Sequence, residues 1–233
     1  MTFSTWHALG NRYVVVPRTE AGPLDPASAR RLSEGTDGVV EVVWASGDEL
    51  EVVIWNPDGS RAVLSGNGTR IGAAWLARAT GLRAVRVHVG SRVVGARFLD
   101  DGRIEQDVGE VTVGAREFVD GIELVPVTVG NPHVVVEGDP ADVTRLGPLL
   151  EAHARFPART NVEVVRIDRP GEITARIWER GVGETSASGS GAVAVAAATH
   201  DAGEVTVHFP GGDLQVRLAN GRATLYGPAE PVA

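Results

Sequence analysis

The sequence repeats itself once, and this duplication limits the folds that the chain can adopt. Four short motifs of the first half return in the second half in the same order, 119 to 123 residues later. They are Gly10-Asn11 with Gly130-Asn131, Ser65-Gly66-Asn67-Gly68 with Ser188-Gly189-Ser190-Gly191, Val85-Arg86-Val87-His88-Val89 with Val205-Thr206-Val207-His208-Phe209, and Leu99-Asp100-Asp101-Gly102-Arg103 with Leu218-Ala219-Asn220-Gly221-Arg222. Four repeats in one order indicate a duplicated domain. We therefore predict two related lobes, 1–114 and 115–233, with a ligand cleft between them.

Short β-branched runs separated by turn residues predict that each lobe is mostly β-structure. The predicted strands are 13–16, 38–44, 50–55, 85–89, 92–98, 122–129, 134–137, 162–167, 173–178, 205–209 and 214–218. Asp101-Gly102 and Asn220-Gly221 are typical of tight hairpin turns, in which glycine takes a positive φ. Helices are predicted at 26–34, 68–79, 139–153 and 190–199. The second and fourth are rich in alanine and apolar on most sides, which favours burial.

Composition excludes several classes of function. The chain has 22 Lys and Arg against 30 Asp and Glu, and this net charge of −8 argues against a nucleic-acid or anionic-membrane partner. No apolar run of about 18 residues is present, so we expect no membrane-spanning helix. The first residues lack the basic and apolar regions of a secretory signal, so we expect a cytoplasmic protein. There is no cysteine, and the six histidines lack the spacing of helical metal ligands, so we expect no metal.

Two glycine-rich turns lead into the two helices that we expect to be buried. Ser65-Gly66-Asn67-Gly68-Thr69 precedes one, and Ser188-Gly189-Ser190-Gly191 precedes the other. The backbone N–H groups at a helix start attract anions, so two such turns facing one cleft could hold a carboxylate between them. A single turn of this kind also serves simply to let a strand turn into a helix. Because both copies carry polar residues, we favour a binding site.

Six motifs together resemble the diaminopimelate epimerase family, over nearly the whole chain and in the family's order. They are Trp6-His7-Ala8-Leu9-Gly10-Asn11, Asn56-Pro57-Asp58-Gly59-Ser60, Ser65-Gly66-Asn67-Gly68-Thr69-Arg70, Gly130-Asn131-Pro132-His133, Phe156-Pro157-Ala158-Arg159-Thr160-Asn161-Val162, and the run from Glu179-Arg180-Gly181 to Ser188-Gly189-Ser190-Gly191-Ala192. The last of these is the most specific. The resemblance implies an α/β (α+β) fold of two pseudo-symmetric lobes, each an antiparallel β-barrel or roll around a central helix. It also implies that the last strand returns to the N-terminal lobe.

The resemblance further implies an isomerase of lysine biosynthesis that uses neither pyridoxal phosphate nor a metal. In that family two residues flank the substrate α-carbon, and one removes the α-proton while the other returns a proton to the opposite face. The family's substrate-binding positions correspond to Asn11, Asn56, Gly66, Asn67, Asn131, Asn161, Glu179, Arg180, Gly189 and Ser190. Its catalytic positions correspond to Ser65 and Ser188, with Glu179 and His133 beside them. We expect the other histidines, except His7, to have packing or surface roles.

One departure from the family concerns the chemistry itself. The family's acid/base pair is two cysteines, and this chain has Ser65 and Ser188 in their places. A thiol has a pKa of about 8.5, whereas the pKa of a serine hydroxyl is far higher and close to that of water. The gap of about seven pKa units corresponds to about 10 kcal/mol, which a helix dipole contributing about 1–2 kcal/mol does not close.

Three functions remain open at this point. The first is an epimerase of a diaminopimelate-type amino acid whose activity is impaired or altered by the two serines. The second is a non-catalytic protein that binds an amino acid. The third is another cofactor-free isomerase that uses Glu179, Glu184 or His133. Each has a small amino acid as its partner, and a homodimer is open in all three.

Overall fold

A computed structural model describes residues 3–62 and 65–232 of the chain. The fold is mixed α+β and divides into two compact units. Unit 1 is Met1–Asp107 with Tyr226–Ala233, and unit 2 is Val108–Leu225. The chain therefore leaves unit 1 before residue 114, where the repeats suggested a boundary, and its last residues belong to unit 1. In the described part of the chain, no helix is long and apolar enough to cross a membrane.

Unit 1 is built from strands that surround one long helix. Its strands are β1 (Ser4–Ala8), β2 (Asn11–Pro17), β3 (Gly38–Ser46), β4 (Glu49–Trp55), β5 (Ala84–Val89), β6 (Arg92–Phe98) and β7 (Ile104–Glu110), the last of which continues into unit 2. Its helices are α1 (Arg18–Ala21), α2 (Pro26–Leu32) and α3 (Gly66–Thr80).

Unit 2 repeats this arrangement. Its strands are β8 (Thr112–Val113), β9 (Glu117–Val119), β10 (Ile122–Thr128), β11 (Pro132–Glu137), β12 (Asn161–Arg169), β13 (Glu172–Glu179), β14 (Gly183–Thr185), β15 (Gly203–Phe209), β16 (Gly212–Ala219) and β17 (Arg222–Gly227). Its helices are α4 (Val143–Glu151), which follows a 3-10 turn at Pro140–Asp142, and α5 (Gly189–Thr199). After β17 the short β18 (Glu230–Pro231) pairs with β1 of unit 1.

The strand pairing is mostly antiparallel, but each unit also contains parallel pairs, which a purely antiparallel barrel would lack. In unit 1, β2 pairs with β3 and β4 with β5 in parallel. In unit 2, β11 pairs with β12 and β13 with β15 in parallel. Each of these connections contains a helix, because parallel neighbours need a long crossover. The same pairing sequence in both units agrees with the duplication of the sequence.

The predicted strands and helices are present, with shifts at their ends. The predicted helix 26–34 ends earlier, at Leu32. Its N-cap residue is Asp25, whose carboxylate accepts the Ser28 N–H at 2.7 Å. The predicted helix 139–153 is divided into the 3-10 turn and α4. The hairpin turns have the expected backbone, since Gly102, Asn220 and Gly221 all have positive φ.

Helices α3 and α5 form the centres of the two units. Residues 67–77 of α3 and 189–196 of α5 are buried without interruption. Helix α3 packs on β1 to β5, and α5 packs on β10, β11, β12, β15 and β16. A helix that is apolar on every side is stable only when it is surrounded in this way, so the two Ala-rich segments act as cores for the strands.

Glycine at the first turn of each central helix allows a close approach to the sheet. A Cβ on Gly68 would lie 2.8 Å from Ile54 Cδ1, and a Cβ on Gly191 would lie 2.8 Å from Ile177 Cδ1. Ile54 and Ile177 are separated by the same number of residues in the sequence as Gly68 and Gly191. The packing therefore explains these glycines without a ligand.

We expect the Gly191→Ala variant to lose about 1–3 kcal/mol of unfolding free energy, because the new methyl overpacks against Ile177 and against Glu163 Oε1 at 3.0 Å. Gly95→Ala on β6 is the matched control, since a Cβ there meets nothing within 4 Å. Its stability should stay within about 0.5 kcal/mol of the parent. Chemical denaturation measures both, and equal losses in the two variants would contradict the close approach at α5.

Candidate active site

Ser65 and Ser188, which the resemblance assigns to the family's cysteine positions, precede the two central helices as N-cap residues. Ser65 has extended backbone, and its Oγ accepts the Gly68 N–H at 3.0 Å. Ser188 has nearly the same backbone, and its Oγ accepts the Gly191 N–H at 3.2 Å. Each serine is therefore an N-cap residue, an arrangement that contributes about 1 kcal/mol to a helix. Both hydroxyls keep one hydrogen that the cap does not use.

In unit 1 the Ser65 hydroxyl lies beside a phenol. Tyr13 Oη is 3.5 Å from Ser65 Oγ, and either oxygen can be the donor. Tyr13 comes from β2 and is 8% exposed. This contact was not anticipated from the sequence, because 52 residues separate the two side chains.

The second turn of α3 begins with a fully buried cation, Arg70. Its guanidinium donates to Asn67 Oδ1 at 2.6 Å, to Gln106 Oε1 at 3.5 Å and to the Pro228 carbonyl at 3.4 Å. All three acceptors are neutral. Burial lowers the pKa of Arg70 to about 10, while the neighbouring Tyr13 phenol acts to raise it. An arginine stays charged under these conditions, so this end of α3 is electropositive.

In unit 2 the corresponding buried groups are an imidazole and a carboxyl. His133 Nδ1 lies 2.7 Å from Glu163 Oε1, and neither side chain is exposed to solvent. The other ring nitrogen, Nε2, lies 3.0 Å from Asn131 Oδ1. His133 and Asn131 are both site residues predicted from the family, and the structure brings them together. Glu163 was not predicted.

Glu163 is an unusual carboxyl because its second oxygen has no hydrogen-bond partner among the residues that the structure describes. Oε2 is buried and unpaired, while Oε1 faces His133 and the first turn of α5. Burial raises the pKa of Glu163, and the neighbouring His133 only partly opposes this effect. The carboxyl is therefore a site where a proton is held more tightly than in water. A single acid within the valine run of β12 is the sequence signal that could have identified it.

The segment after β13 is held in place by two buried side chains. Asn161 Oδ1 accepts the Arg180 N–H at 2.9 Å, while its Nδ2 donates to the Pro132 carbonyl at 2.8 Å. Glu151 Oε1 accepts the Gly181 N–H at 2.6 Å. The Arg180 guanidinium donates to the Ala158 carbonyl at 3.0 Å. The structure thus brings the Asn161 side chain and the Arg180 backbone together.

The remaining predicted residues occupy local contacts within their own units. Glu179 Oε1 accepts the Thr185 hydroxyl at 2.5 Å, and Ser190 Oγ lies 3.5 Å from Ser188 Oγ. The Asn56 side chain donates to Ser60 Oγ at 2.9 Å and so closes the turn after β4. Asn11 is buried at the start of β2. Gly66 and Gly189 are the first residues of α3 and α5.

The other histidines have the surface or packing partners that we expected. His88, His153 and His208 face the carboxylates of Glu49, Asp120 and Glu172, and His200 accepts the Gly171 N–H. His7 is partly exposed and lies 3.9 Å from Glu230. Within residues 3–62 and 65–232, no cluster of three or more His, Asp or Glu side chains is arranged to hold a metal ion.

Comparisons with known proteins agree with this architecture. The family model described as diaminopimelate epimerase matches residues 125–231. The diaminopimelate epimerase of Desulforudis audaxviator is 38% identical over 100% of this chain and 97% of its own length. That of Desulfitobacterium hafniense is 34% identical over 96% of this chain and 93% of its own length.

Solved structures show the same fold at lower identity. A hydroxyproline epimerase from Agrobacterium vitis, solved with bound trans-4-hydroxy-L-proline, matches with a TM-score of 0.69 at 14% identity. The match covers 99% of this chain and 90% of that one. A phenazine biosynthesis protein from Bacillus anthracis matches with a TM-score of 0.75 at 14% identity, over 99% of this chain and 96% of its own.

The buried carboxyl of Glu163 gives a prediction about stability and pH. Because its pKa is raised above the ordinary 4.5, the native state binds this proton more tightly than the unfolded chain. The resulting stability is full below that value and is lost as pH rises through the native pKa. Glu163→Gln keeps an oxygen for His133 but does not ionise. Its unfolding free energy relative to the parent should therefore increase between about pH 4 and pH 7.

Thermal unfolding measured across this pH range tests the prediction. Glu137→Gln is the charge-matched control, since Glu137 is exposed on the neighbouring strand β11. If the stability of both variants relative to the parent changed with pH in the same way, burial of Glu163 would not be the cause of the change.

Proposed function

The chain belongs to the diaminopimelate epimerase family, and we propose that it inverts the α-carbon of a diaminopimelate-type amino acid by moving protons at the starts of α3 and α5. It is an isomerase of the epimerase or racemase type. The observation that carries the proposal is the duplicated helix start, since each unit presents a hydroxyl and a set of first-turn N–H groups. Inversion needs one group that removes a proton and another that returns one. A duplicated domain supplies two such groups, one in each unit.

Substrate binding follows from the charges at these helix starts. The first-turn N–H groups of a central helix favour an anion such as the substrate α-carboxylate. The Arg180 guanidinium, on the segment held by Asn161 and Glu151, is suited to a second carboxylate, because its planar fork can donate two parallel hydrogen bonds. A substrate with two amino-acid ends, such as diaminopimelate, satisfies both requirements. Asn11, Asn56 and Asn131 are proposed to complete the polar lining.

The serines in this proposal do not ionise as thiols do. Each Oγ accepts a backbone N–H, which leaves the hydroxyl hydrogen to be given to a neighbour while the oxygen takes a proton from the substrate. Such a relay needs a more acidic partner close by. In unit 2, Glu163 Oε1 lies against the first turn of α5, and the His133–Glu163 pair is proposed to be that partner, with Glu179 as a further candidate. Proton transfer is therefore altered from the thiol chemistry of the family.

A second candidate function, binding of an amino acid without turnover, is supported by the N-cap hydrogen bonds of the two serines. Because Ser65 and Ser188 each stabilise a helix start, they are explained structurally without any catalytic role. A protein with the same binding residues and no turnover would bind an amino acid only. Exchange of the α-proton with solvent separates the two functions.

Arg180→Ala should abolish binding of diaminopimelate while leaving the fold intact. Loss of a charged partner for a bound carboxylate costs about 2–5 kcal/mol, whereas loss of a surface contact costs about 0–1 kcal/mol. The control is Arg145→Ala, which removes an exposed arginine paired with Asp142 in the same unit. Titration calorimetry measures both. Affinity that is unchanged in Arg180→Ala would remove this residue from the site.

The double change Ser65→Cys and Ser188→Cys should switch on or increase epimerisation. It lowers the pKa of both groups by about seven pKa units and leaves the other contacts in place. Each single change should recover far less, because inversion needs a donor and an acceptor. The measurement is α-proton exchange from deuterated water with the isomers of diaminopimelate and a panel of other amino acids.

The parent chain is measured in the same assay. Exchange with inversion supports the epimerase, and double-bond migration supports another isomerase. A folded double-cysteine variant that binds an amino acid and exchanges nothing would contradict the epimerase and support the binding protein.

A further inference from the structure

The duplication places two proton-carrying rings at the same position of the two units. Tyr13 is the third residue after Gly10, and His133 is the third after Gly130. Tyr13 lies opposite Gly38, the first residue of β3, and His133 lies opposite Asn161, the first residue of β12. Both side chains are buried. A phenol in unit 1 therefore corresponds to the imidazole that Glu163 holds in unit 2.

The phenol of Tyr13 is held beside Ser65 by its packing. Gly38 lies against the ring, and a Cβ at that residue would be 2.9 Å from Tyr13 Cε1. Across the sheet, β1 presents Trp6 opposite Tyr13. The 3.5 Å between Tyr13 Oη and Ser65 Oγ is long for a hydrogen bond, but catalytic hydrogen bonds commonly shorten when substrate is bound. Since Ser65 Oγ accepts from Gly68, its own hydrogen can be donated to the phenol oxygen.

Helix α3 supplies a positive charge near this phenol. Arg70 is fully buried, its hydrogen-bond acceptors are neutral, and it interacts electrostatically with Tyr13. β1 and β3 present Trp6 and Gly38 to the ring, so neither partner residue brings a charge. A buried cation stabilises a nearby anion, and a phenolate is the anion that Tyr13 can form. A phenol starts at a pKa of about 10, far closer to a thiol at about 8.5 than a serine hydroxyl is.

We propose that Tyr13 is the proton carrier of unit 1 and that it acts through Ser65. The inference rests on the proposed function and names the group that replaces the missing thiol in this unit. When the substrate C–H bond breaks, Ser65 Oγ binds the α-proton and gives its own hydrogen to the Tyr13 phenolate. The electron pair of the C–H bond stays on the α-carbon, and a proton added to the opposite face completes the inverted centre. In the reverse direction Tyr13 returns the proton through Ser65.

Ionisation of Tyr13 can be measured without any activity, because the chain has two tyrosines. In Tyr226→Phe, Tyr13 is the remaining phenol, and ultraviolet absorbance follows its conversion to phenolate. Adding Arg70→Met should raise the observed pKa of Tyr13 by about one to three pKa units, because the cation is lost. Adding Ser65→Ala should also raise it, because the phenolate loses a donor. This second variant serves if Arg70→Met does not fold. A phenol that titrates at the same pH in the folded variants, or only as the chain unfolds, overturns the proposal.

Exchange of the α-proton tests the same residue during turnover. Tyr13→Phe keeps the ring and removes the hydroxyl, so exchange should fall at least tenfold for substrate of one configuration and persist for the other. The change in the exchange rate at alkaline pH that reflects ionisation of the phenol should disappear. Tyr226→Phe is the matched control and should exchange both configurations at the parent rate.

These results keep the two proposals apart. Tyr13→Phe exchanging both configurations at the parent rate overturns the role of Tyr13 and leaves the epimerase intact. A parent chain that exchanges nothing overturns the proposed function, while the absorbance titration still decides whether Tyr13 is coupled to Ser65 and Arg70.

Discussion

The hydrogen bond from a first-turn N–H to a serine oxygen fixes the start of each central helix, and the rest of each unit depends on that start. The acceptor is Ser65 for Gly68 N–H and Ser188 for Gly191 N–H. A helix that began one residue later would move the glycine away from Ile54 or Ile177, where nothing larger fits. The apolar faces of α3 and α5 would then lose their register with the strands. The cap and the close approach therefore specify one helix position in each unit.

Two ionisable side chains are buried close to the starts of the central helices. Glu163 and Arg70 are both fully buried, and each lies near the first turn of a central helix. Burying a lone charge is costly, so groups of this kind persist where a partner or a function offsets the cost. Glu163 has His133 at one oxygen and no partner at the other, whereas Arg70 has neutral acceptors. The surroundings of Glu163 thus favour a bound proton, and those of Arg70 favour an anion.

The sequence predicted the parts of the fold that local preference decides. Valine-rich runs such as β3 and β12 and the alanine-rich helices α3 and α5 were identified because their own composition specifies them. β1 and the polar β7 were missed, since they form by pairing with neighbouring strands and not by propensity. In the same way, Glu163 and Tyr13 were missed because their partners are 30 and 52 residues away. The site positions assigned from motifs stay predictions, whereas the contacts of Glu163 and Tyr13 required coordinates.

Serine at the two cysteine positions shifts the balance between structure and chemistry. A hydroxyl is a good N-cap acceptor and a poor acid, so the exchange of sulfur for oxygen favours the helix start and weakens proton transfer by the same atom. Any chemistry that remains must then come from groups one bond further away, which the serine can reach because its hydrogen is not used in the cap. Tyr13 lies beside Ser65 in unit 1, and the His133–Glu163 pair is our proposal for the same role in unit 2. The duplication gives Tyr13 and His133 matching positions, and the two relays that we propose differ in acidity because one ends in a phenol and the other in an imidazole and a carboxyl. Two groups of unequal acidity titrate at different pH, so proton transfer through each of them should depend on pH differently.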